Sequence, residues 1–334
     1  MTRPVFGRFR NIAGSAGVVW FWGGVALLLA MGAALVCGSA EMAPADVLDW
    51  LRGTAPAHVQ TVLGEIRLPR ILLAANAGAA LSLSGLAMQT VLRNPLAEPY
   101  ILGVSSGAAV GVLSVVLVGG AAAWSFRLGA LGGGLCALVI VCLLGARRHV
   151  TGMLLSGVML NAFCGAIILF LLSLAPQADA GTVYFWFMGD LGSAAADEVF
   201  LTSLLLLPCY AVMVCCGQTM NLILLGDETA WSLGVPVRGI CFGLLGLVSL
   251  MAGFIVAMAG PIGFVGLVVP QALRRIWGYD HRRLAPGCLL LGAAFMVVCD
   301  TFSRSLPTQG DLPAGVMTAL IGAPLFIVLL RRMS

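Results

Sequence analysis

The chain has no lysine: all 18 of its basic residues are arginine, and only 10% of its 334 residues are charged. A soluble globular domain carries about a quarter charged residues, so a water-facing surface of ordinary composition is missing. Histidine occurs three times, as His58, His149 and His281, each expected in a loop. No carboxylate pair lies inside an apolar run, and Asp190 and Asp300 stand near the outer ends of theirs. Carboxylates inside a membrane mark proton relays and ion sites, so their scarcity speaks against a proton- or sodium-coupled carrier. No G-x-x-x-x-G-K-[ST] loop is present to cradle nucleotide phosphates. Transport driven by ATP would therefore need its motor on another chain. The ten cysteines include no C-x-x-C pair. They read as small apolar helix residues and fix no redox compartment. An intramembrane enzyme is poorly supported, because no nucleophile–base or metal constellation is in place.

What the chain does have is apolar residues, 60% of the total. A bilayer core takes about 20 of them per helix. Apolar runs at 17–38, 69–92, 99–119, 128–146, 152–174, 199–216, 239–259, 262–277, 285–303 and 313–330 predict ten transmembrane helices. The fold class is an all-α polytopic membrane protein, a single domain over 1–334. Residues 18–37 are too long a run for a signal-peptide core and lack a clear cleavage site, so they read as the first span. Residues 175–198 are too polar to span. Their Tyr184-Phe185-Trp186-Phe187-Met188 core suggests an interfacial or re-entrant segment on the periplasmic side. With the N-terminus inside, cytoplasmic segments hold 13 arginines against four acids, and the other side holds five arginines against ten acids. That asymmetry follows the positive-inside rule, and ten spans place both termini in the cytoplasm.

Three polar features interrupt this pattern. Arg67 and Arg70, three apart at a helix start, share a face. With Arg304 they run against the charge bias of the outer side. Either they snorkel to lipid phosphates or they form an exposed cationic patch that receives acidic side chains of a partner. In the helix they open, Gly78, Ser82, Gly85 and Gln89 fall on one face, suited to close helix packing or to lining a pathway. The cytoplasmic segment 217–238 reads as two short helices, Met220 to Leu225 and Glu228 to Leu233, around Gly226-Asp227. Asp227 is expected to cap the second, and Gly234-Val235-Pro236 to stop it. Leu222, Leu225, Trp231 and Leu233 give this hairpin an apolar face with no cover of its own. Such a face suits docking on a partner or lying on the lipid interface.

The motifs I-R-L-P-R, N-P-L-A-E-P, L-G-V-S-S-G, G-D-E-T-A-W-S-L-G-V, G-P-I-G-F-V-G-L-V-V-P, D-H-R-R-L-A-P-G and D-L-P-A-G-V-M-T-A-L-I-G-A-P-L-F follow one another along the chain. In these, over about residues 15 to 332, the chain resembles the permease subunit of the iron-siderophore, haem and vitamin B12 class of bacterial ABC importers. The resemblance implies a ten-helix, homodimeric subunit of the bacterial inner membrane. Two cytoplasmic ATP-binding subunits and a periplasmic substrate-binding protein would complete the importer, with lipid around it and no nucleic acid. No cofactor is expected on this chain; ATP and Mg would sit on the ATPase subunits, and this chain would not itself be an enzyme.

The resemblance also implies residue roles. Arg67, Arg70 and Arg304 would dock the binding protein. Leu222, Leu225, Gly226, Asp227, Glu228, Trp231, Leu233 and Gly234 would couple to the ATPase. Asn94 and Leu96 would form one gate. Val150 and Thr151 would form another, in a loop about two residues shorter than that of the vitamin B12 permease. Met159, Asn161, Thr318 and Gly322 would line the pathway. The cargo implied is a large metal chelate, an iron–siderophore complex or haem first and a corrinoid next. A secondary carrier or channel without an ATPase is the reading from another class.

Overall fold

The computed structural model describes residues 16–38, 42–119, 123–145, 150–174, 185–192, 194–306 and 312–331. Among them no strand occurs, and a helix lies at each of the ten expected places. These are α1 (Ala16–Val36), α3 (Leu68–Val91), α4 (Val104–Leu117), α5 (Ala123–Gly145), α6 (Val150–Leu174), α7 (Ala196–Cys215), α10 (Val237–Ala259), α11 (Val265–Trp277), α12 (His281–Ser305) and α13 (Ala314–Arg331). Shorter helices α2 (Pro44–Leu51), α8 (Gly217–Leu224) and α9 (Asp227–Ser232) lie between them. Among the described residues seven helices are long and apolar enough to cross a membrane, and α4, α11 and α13 are shorter.

Several boundaries differ from the sequence expectation for local reasons. The run 99–119 is split into a 3₁₀ turn, Pro99–Leu102, and α4, because Gly103 between them adopts φ +81°, a left-handed conformation open to glycine. Residues 260–264 are not helical, so α11 opens three residues later than expected. Ahead of α3 the chain is already helical from Ala57, and Thr61–Arg67 forms a π-helical stretch. The wide turns come just before Pro69, whose ring and missing N–H do not fit a regular α turn. Helix α2 was not legible because its residues are mixed in polarity. Pro44 at its start and Asp46, which accepts from Ala43 N at 2.8 Å, nucleate it locally.

Helix α3 is the axis of the bundle. Nineteen of its 24 residues are buried, whereas only 11% of the apolar window of α6 is covered. The expected small-residue face accounts for this. A methyl group placed on Gly78 would lie 2.1 Å from the carbonyl oxygen of Gly292 in α12, and one on Gly85 would lie 2.0 Å from that of Gly266 in α11. Ser82 Oγ donates to Cys288 O at 2.5 Å, and Gln89 Nε2 donates to Gly266 O at 3.0 Å. All four residues are therefore in helix–helix contact within one chain. The same device recurs where Gly107 and Gly111 of α4 meet Gly129 and Gly133 of α5. In hydrocarbon there is no hydrophobic drive between helices, so close backbone approach and interhelical hydrogen bonds must hold them.

Replacement of Gly78 by leucine is expected to drive α3 off α12 and to lower the thermal midpoint in detergent by several degrees, the scale of overpacking at about 1–3 kcal/mol or more. A melt unchanged by this substitution would mean that the contact does not hold the bundle.

Candidate functional site

At the start of α3, the three arginines expected on an exposed patch are turned inward. Arg67 is 3% exposed and Arg304 5%. Arg67 donates to the carbonyls of Leu35 and Val36, the latter at 3.0 Å, and Arg304 Nη2 reaches Ala34 O at 3.3 Å. Both guanidinium groups thus meet the carbonyl end of α1, where positive charge complements the helix dipole. Arg70 Nε pairs with Asp300 Oδ1 at 2.9 Å, and Arg304 Nε with Asp300 Oδ2 at 3.1 Å. Asp300 is itself 1% exposed. Gly38 leaves room for the cluster, since a methyl group there would lie 3.1 Å from Arg67 Nη2 and 3.2 Å from Arg304 Nη1. The expected exposure is corrected for a plain reason. A carboxylate four residues before Arg304 on α12 offers buried arginines a partner that solvent would otherwise supply. The i, i+4 spacing of Asp300 and Arg304 was the available signal.

The 217–238 hairpin forms as α8 and α9, turning at Gly226, whose φ of +108° excludes most side chains. Leu225 (61%), Trp231 (71%) and Leu233 (57%) are exposed, and Leu222 is half-buried. Ile223, Met220 and Ala230 face inward. Asp227 does not cap α9 as expected: Gly226 holds the cap position, and the Asp227 carboxylate accepts from Arg93 Nη2. Asp227 and Glu228 still stand in the first turn of α9, the favourable end for negative charge.

The hairpin is fastened at its base. Asn221 Nδ2 donates to Asp280 Oδ1 at 2.8 Å, and Asn221 Oδ1 accepts from His281 N at 2.9 Å. Asp280 caps α12 by accepting from Arg282 N at 3.0 Å. Burial alone would raise the Asp280 carboxyl. Its hydrogen bonds from Asn221 and Arg282, with the nearby charges of Arg283 and Arg282, hold it below the usual carboxylate range. His281, expected in a loop, is the first residue of α12 and fully buried. One ring nitrogen lies 2.9 Å from Asn221 Oδ1 and the other 2.8 Å from Thr90 Oγ1 of α3. Beside α9, a cleft of about 770 Å³ opens between α3, α6 and α10, with Arg93, Met153, Asp227, Trp231, Arg238 and Phe242 in its wall.

The connection from α3 to α4 carries the expected gate residues. Asn94 Oδ1 accepts from Leu96 N at 2.9 Å, a tight local turn, and Leu96 is 50% exposed. The loop is then pinned to α11 and its approach. Glu98 Oε1 accepts from Phe264 N at 3.0 Å, Tyr100 Oη accepts from Ile262 N at 3.1 Å, and Gln271 Nε2 donates to Pro95 O at 2.9 Å. Among the described residues, Arg93 (φ +49°) and Phe264 (φ +68°) are the non-glycine residues with positive φ. A left-handed conformation costs a side-chain-bearing residue about 1–2 kcal/mol. The second expected gate falls at the start of α6, where the side chains of Val150 and Thr151 lie outside the described residues. The expected lining residues differ in their surroundings. Met159 is 62% exposed, and Thr318 is fully buried. Asn161 accepts from Ser106 Oγ at 2.6 Å and donates to Tyr100 O at 3.2 Å. A methyl group on Gly322 would lie 2.7 Å from Phe264 Cβ. Of the segment 175–198, residues 185–189 pack on the end of α10 and the start of α13. There Gly260 and Gly315 approach the carbonyls of Trp186 and Met188.

This arrangement has relatives. The chain is 39% identical over 310 residues to the "Vitamin B12 import system permease protein BtuC" of Salmonella typhimurium, covering 92% of each chain. It is 38% identical over 312 residues to the protein of the same name from Citrobacter koseri, with the same coverage. Among solved structures it superposes with TM-score 0.86 at 29% identity on an inward-facing ABC transporter chain described as metal-chelate type, over 95% of this chain and 99% of that one. The model of the FecCD transport family matches residues 26–332. With nearly its whole length matched, and with the helices, the hairpin and the motif order described above, the chain belongs to the FecCD transport family.

Proposed function

We propose that this chain is one half of a homodimeric, ten-span permease that works with two ATP-hydrolysing subunits and a periplasmic binding protein to import a metal chelate. The observation that carries the reading is the hairpin: a compact pair of helices, fastened at its base, that presents Leu225, Trp231 and Leu233 to the exterior. An exposed tryptophan such as Trp231 is a typical anchor of a protein interface, and the two leucines widen the apolar patch around it. A hairpin lying on lipid would not need the fastening by Asn221, Asp280 and His281. The family match over residues 26–332 supports the same assignment.

In this reading both termini are cytoplasmic, and α4, α11 and α13 cross the membrane with their flanking turns. The exposed apolar sides of α6 (Leu155, Met159, Phe163) and α13 (Leu320, Ile327) meet the second copy or lipid. Docked ATPase chains move the hairpins, and the Asn94–Pro99 loops open or close the pathway. Arg70, Arg304 and Arg67 receive carboxylates of the binding protein, which must compete with Asp300 for Arg70 and Arg304 and with the α1 carbonyls for Arg67. As for cargo, an iron–siderophore complex or haem fits the metal-chelate type of the solved neighbour. A corrinoid stands level with it, on the names of the two relatives described above. Uptake of labelled cyanocobalamin against a ferric siderophore and haem, in vesicles holding the complete importer, separates them.

Leu225→Arg with Trp231→Arg is expected to weaken association with the ATPase chains roughly 30-fold or more, the scale of losing interface anchors. Co-purification and ATP hydrolysis by the complex measure this. Substrate uptake that persists without any ATPase, and is indifferent to these changes, would instead make the chain a secondary carrier.

Docking of the binding protein is expected to be salt-sensitive, and Arg70→Gln to slow its association and flatten that sensitivity. Surface plasmon resonance at two ionic strengths reads both. Association that is fast and salt-independent in the wild type would assign the arginines to holding α1 and α12 alone.

A further inference from the structure

The hairpin and the Asn94–Pro99 loop are not merely neighbours. The loop is held at both ends, and each hold involves a backbone in an unfavourable conformation. At its start, Arg93 donates through Nη2 to the Ile223 carbonyl of α8 at 2.9 Å and to the Asp227 carboxylate of α9. At its far end, Glu98 Oε1 accepts from Phe264 N. Arg93 and Phe264 are the two described non-glycine residues with positive φ. Such conformations persist where the surroundings over-determine them, and they cluster at switching elements. Glycine or asparagine would take φ +49° with less strain than arginine, so the arginine side chain has to be needed where it is.

We infer that Arg93 is the positioning residue that carries movement of the hairpin to the gate loop, with Glu98 and Phe264 as its fixed anchor on the opposite side. The inference rests on the reading of the hairpin as the ATPase seat and of the loop as a gate. Only four residues separate Arg93 from Glu98, and Asn94 and Pro95 stiffen them through the Asx turn to Leu96 and the Gln271 contact to Pro95. A short, stiff segment clamped at one end transmits a pull at the other instead of absorbing it. The cleft of about 770 Å³ beside Arg93 and Asp227 leaves the hairpin space to be displaced on that side. The fastening of α8 to α12 through Asn221 and Asp280 keeps its base in place. Movement would thus pivot about the base and reach the loop through the guanidinium of Arg93.

The test uses the four charge states of one pair: wild type, Arg93→Asp, Asp227→Arg, and both reversals together. Hydrogen–deuterium exchange read by mass spectrometry follows the peptides that contain Leu96, Ala97 and Phe264. In the chain alone, each single reversal is expected to speed exchange of these amides roughly five-fold, the scale of a partly exposed charged contact, and the double reversal to bring it part of the way back, because a carboxylate at position 93 re-forms the ion pair but cannot donate to the Ile223 carbonyl. In complexes with the ATPase chains, trapping with ATP and orthovanadate is expected to change exchange of the loop in the wild type and the double reversal but not in the single ones. Single reversals that leave the loop's exchange and its response to trapping unaltered would overturn the inference. Failure of any ATPase chain to associate with the wild type would count against the proposed function instead, and the measurement on the chain alone would still decide whether Arg93 holds the loop. Arg93→Gly separates tether from staple. Relief of the backbone should keep its melting temperature at or above that of Arg93→Asp while the loop exchanges faster. A lower melt with unchanged loop exchange would reduce Arg93 to a fold contact and overturn the inference.

Discussion

Backbone-to-backbone contact along α3 is the constraint on which the remaining structure depends. Gly78 against Gly292 and Gly85 against Gly266 bring α3 so close to α12 and α11 that no side chain fits between them. Burial of apolar surface cannot do this work in a bilayer, where lipid is as apolar as the helices. What remains is dispersion at short range, helped by the Ser82 and Gln89 hydrogen bonds at the same seam. Because α3 is fixed against two other helices, its two ends become rigid platforms. The arginine cluster stands on one, and the Asn94–Pro99 loop leaves from the other.

The two platforms are built on opposite electrostatic principles. At the α1 end, three arginines and Asp300 are withdrawn from solvent, and α1's terminal carbonyls complete their coordination. Removing a buried charge's partner is costly, so this cluster resists rearrangement unless another carboxylate replaces Asp300. At the hairpin end the contacts of Arg93 and Asp227 are partly exposed, with side chains 43% and 67% accessible. Exposed pairs of this kind exchange readily. One end of α3 is thus held by buried ion pairs, and the other by a partly exposed one.

The places where expectation and structure part have local causes. Asp227 reads as a cap in the sequence because acids favour helix starts, yet Gly226 takes the position and frees the carboxylate for Arg93, 134 residues away in sequence. His281 reads as a loop residue because Asp280 and two arginines surround it, yet a capped α12 begins there and buries the ring against Thr90. In each case a short-range signal was present, and a partner far along the chain decided its use.

Apolar periodicity and arginine placement were enough, without coordinates, to determine the class of the protein, the places of the helices, the hairpin and the glycine face of α3. Those properties follow from solvation and backbone geometry, which act locally and leave their mark in composition. Whether an arginine faces a partner or its own chain is not a local property. Arg67, Arg70 and Arg304 carry the same charge in either case, and only the convergence of α1, α3 and α12, which brings Arg70 and Arg304 to Asp300 and Arg67 and Arg304 to the α1 carbonyls, turns them inward. The tether of Arg93 was equally invisible. A positive φ and a hydrogen bond to a distant carboxylate arise when elements meet, and only the tertiary structure brings those elements together.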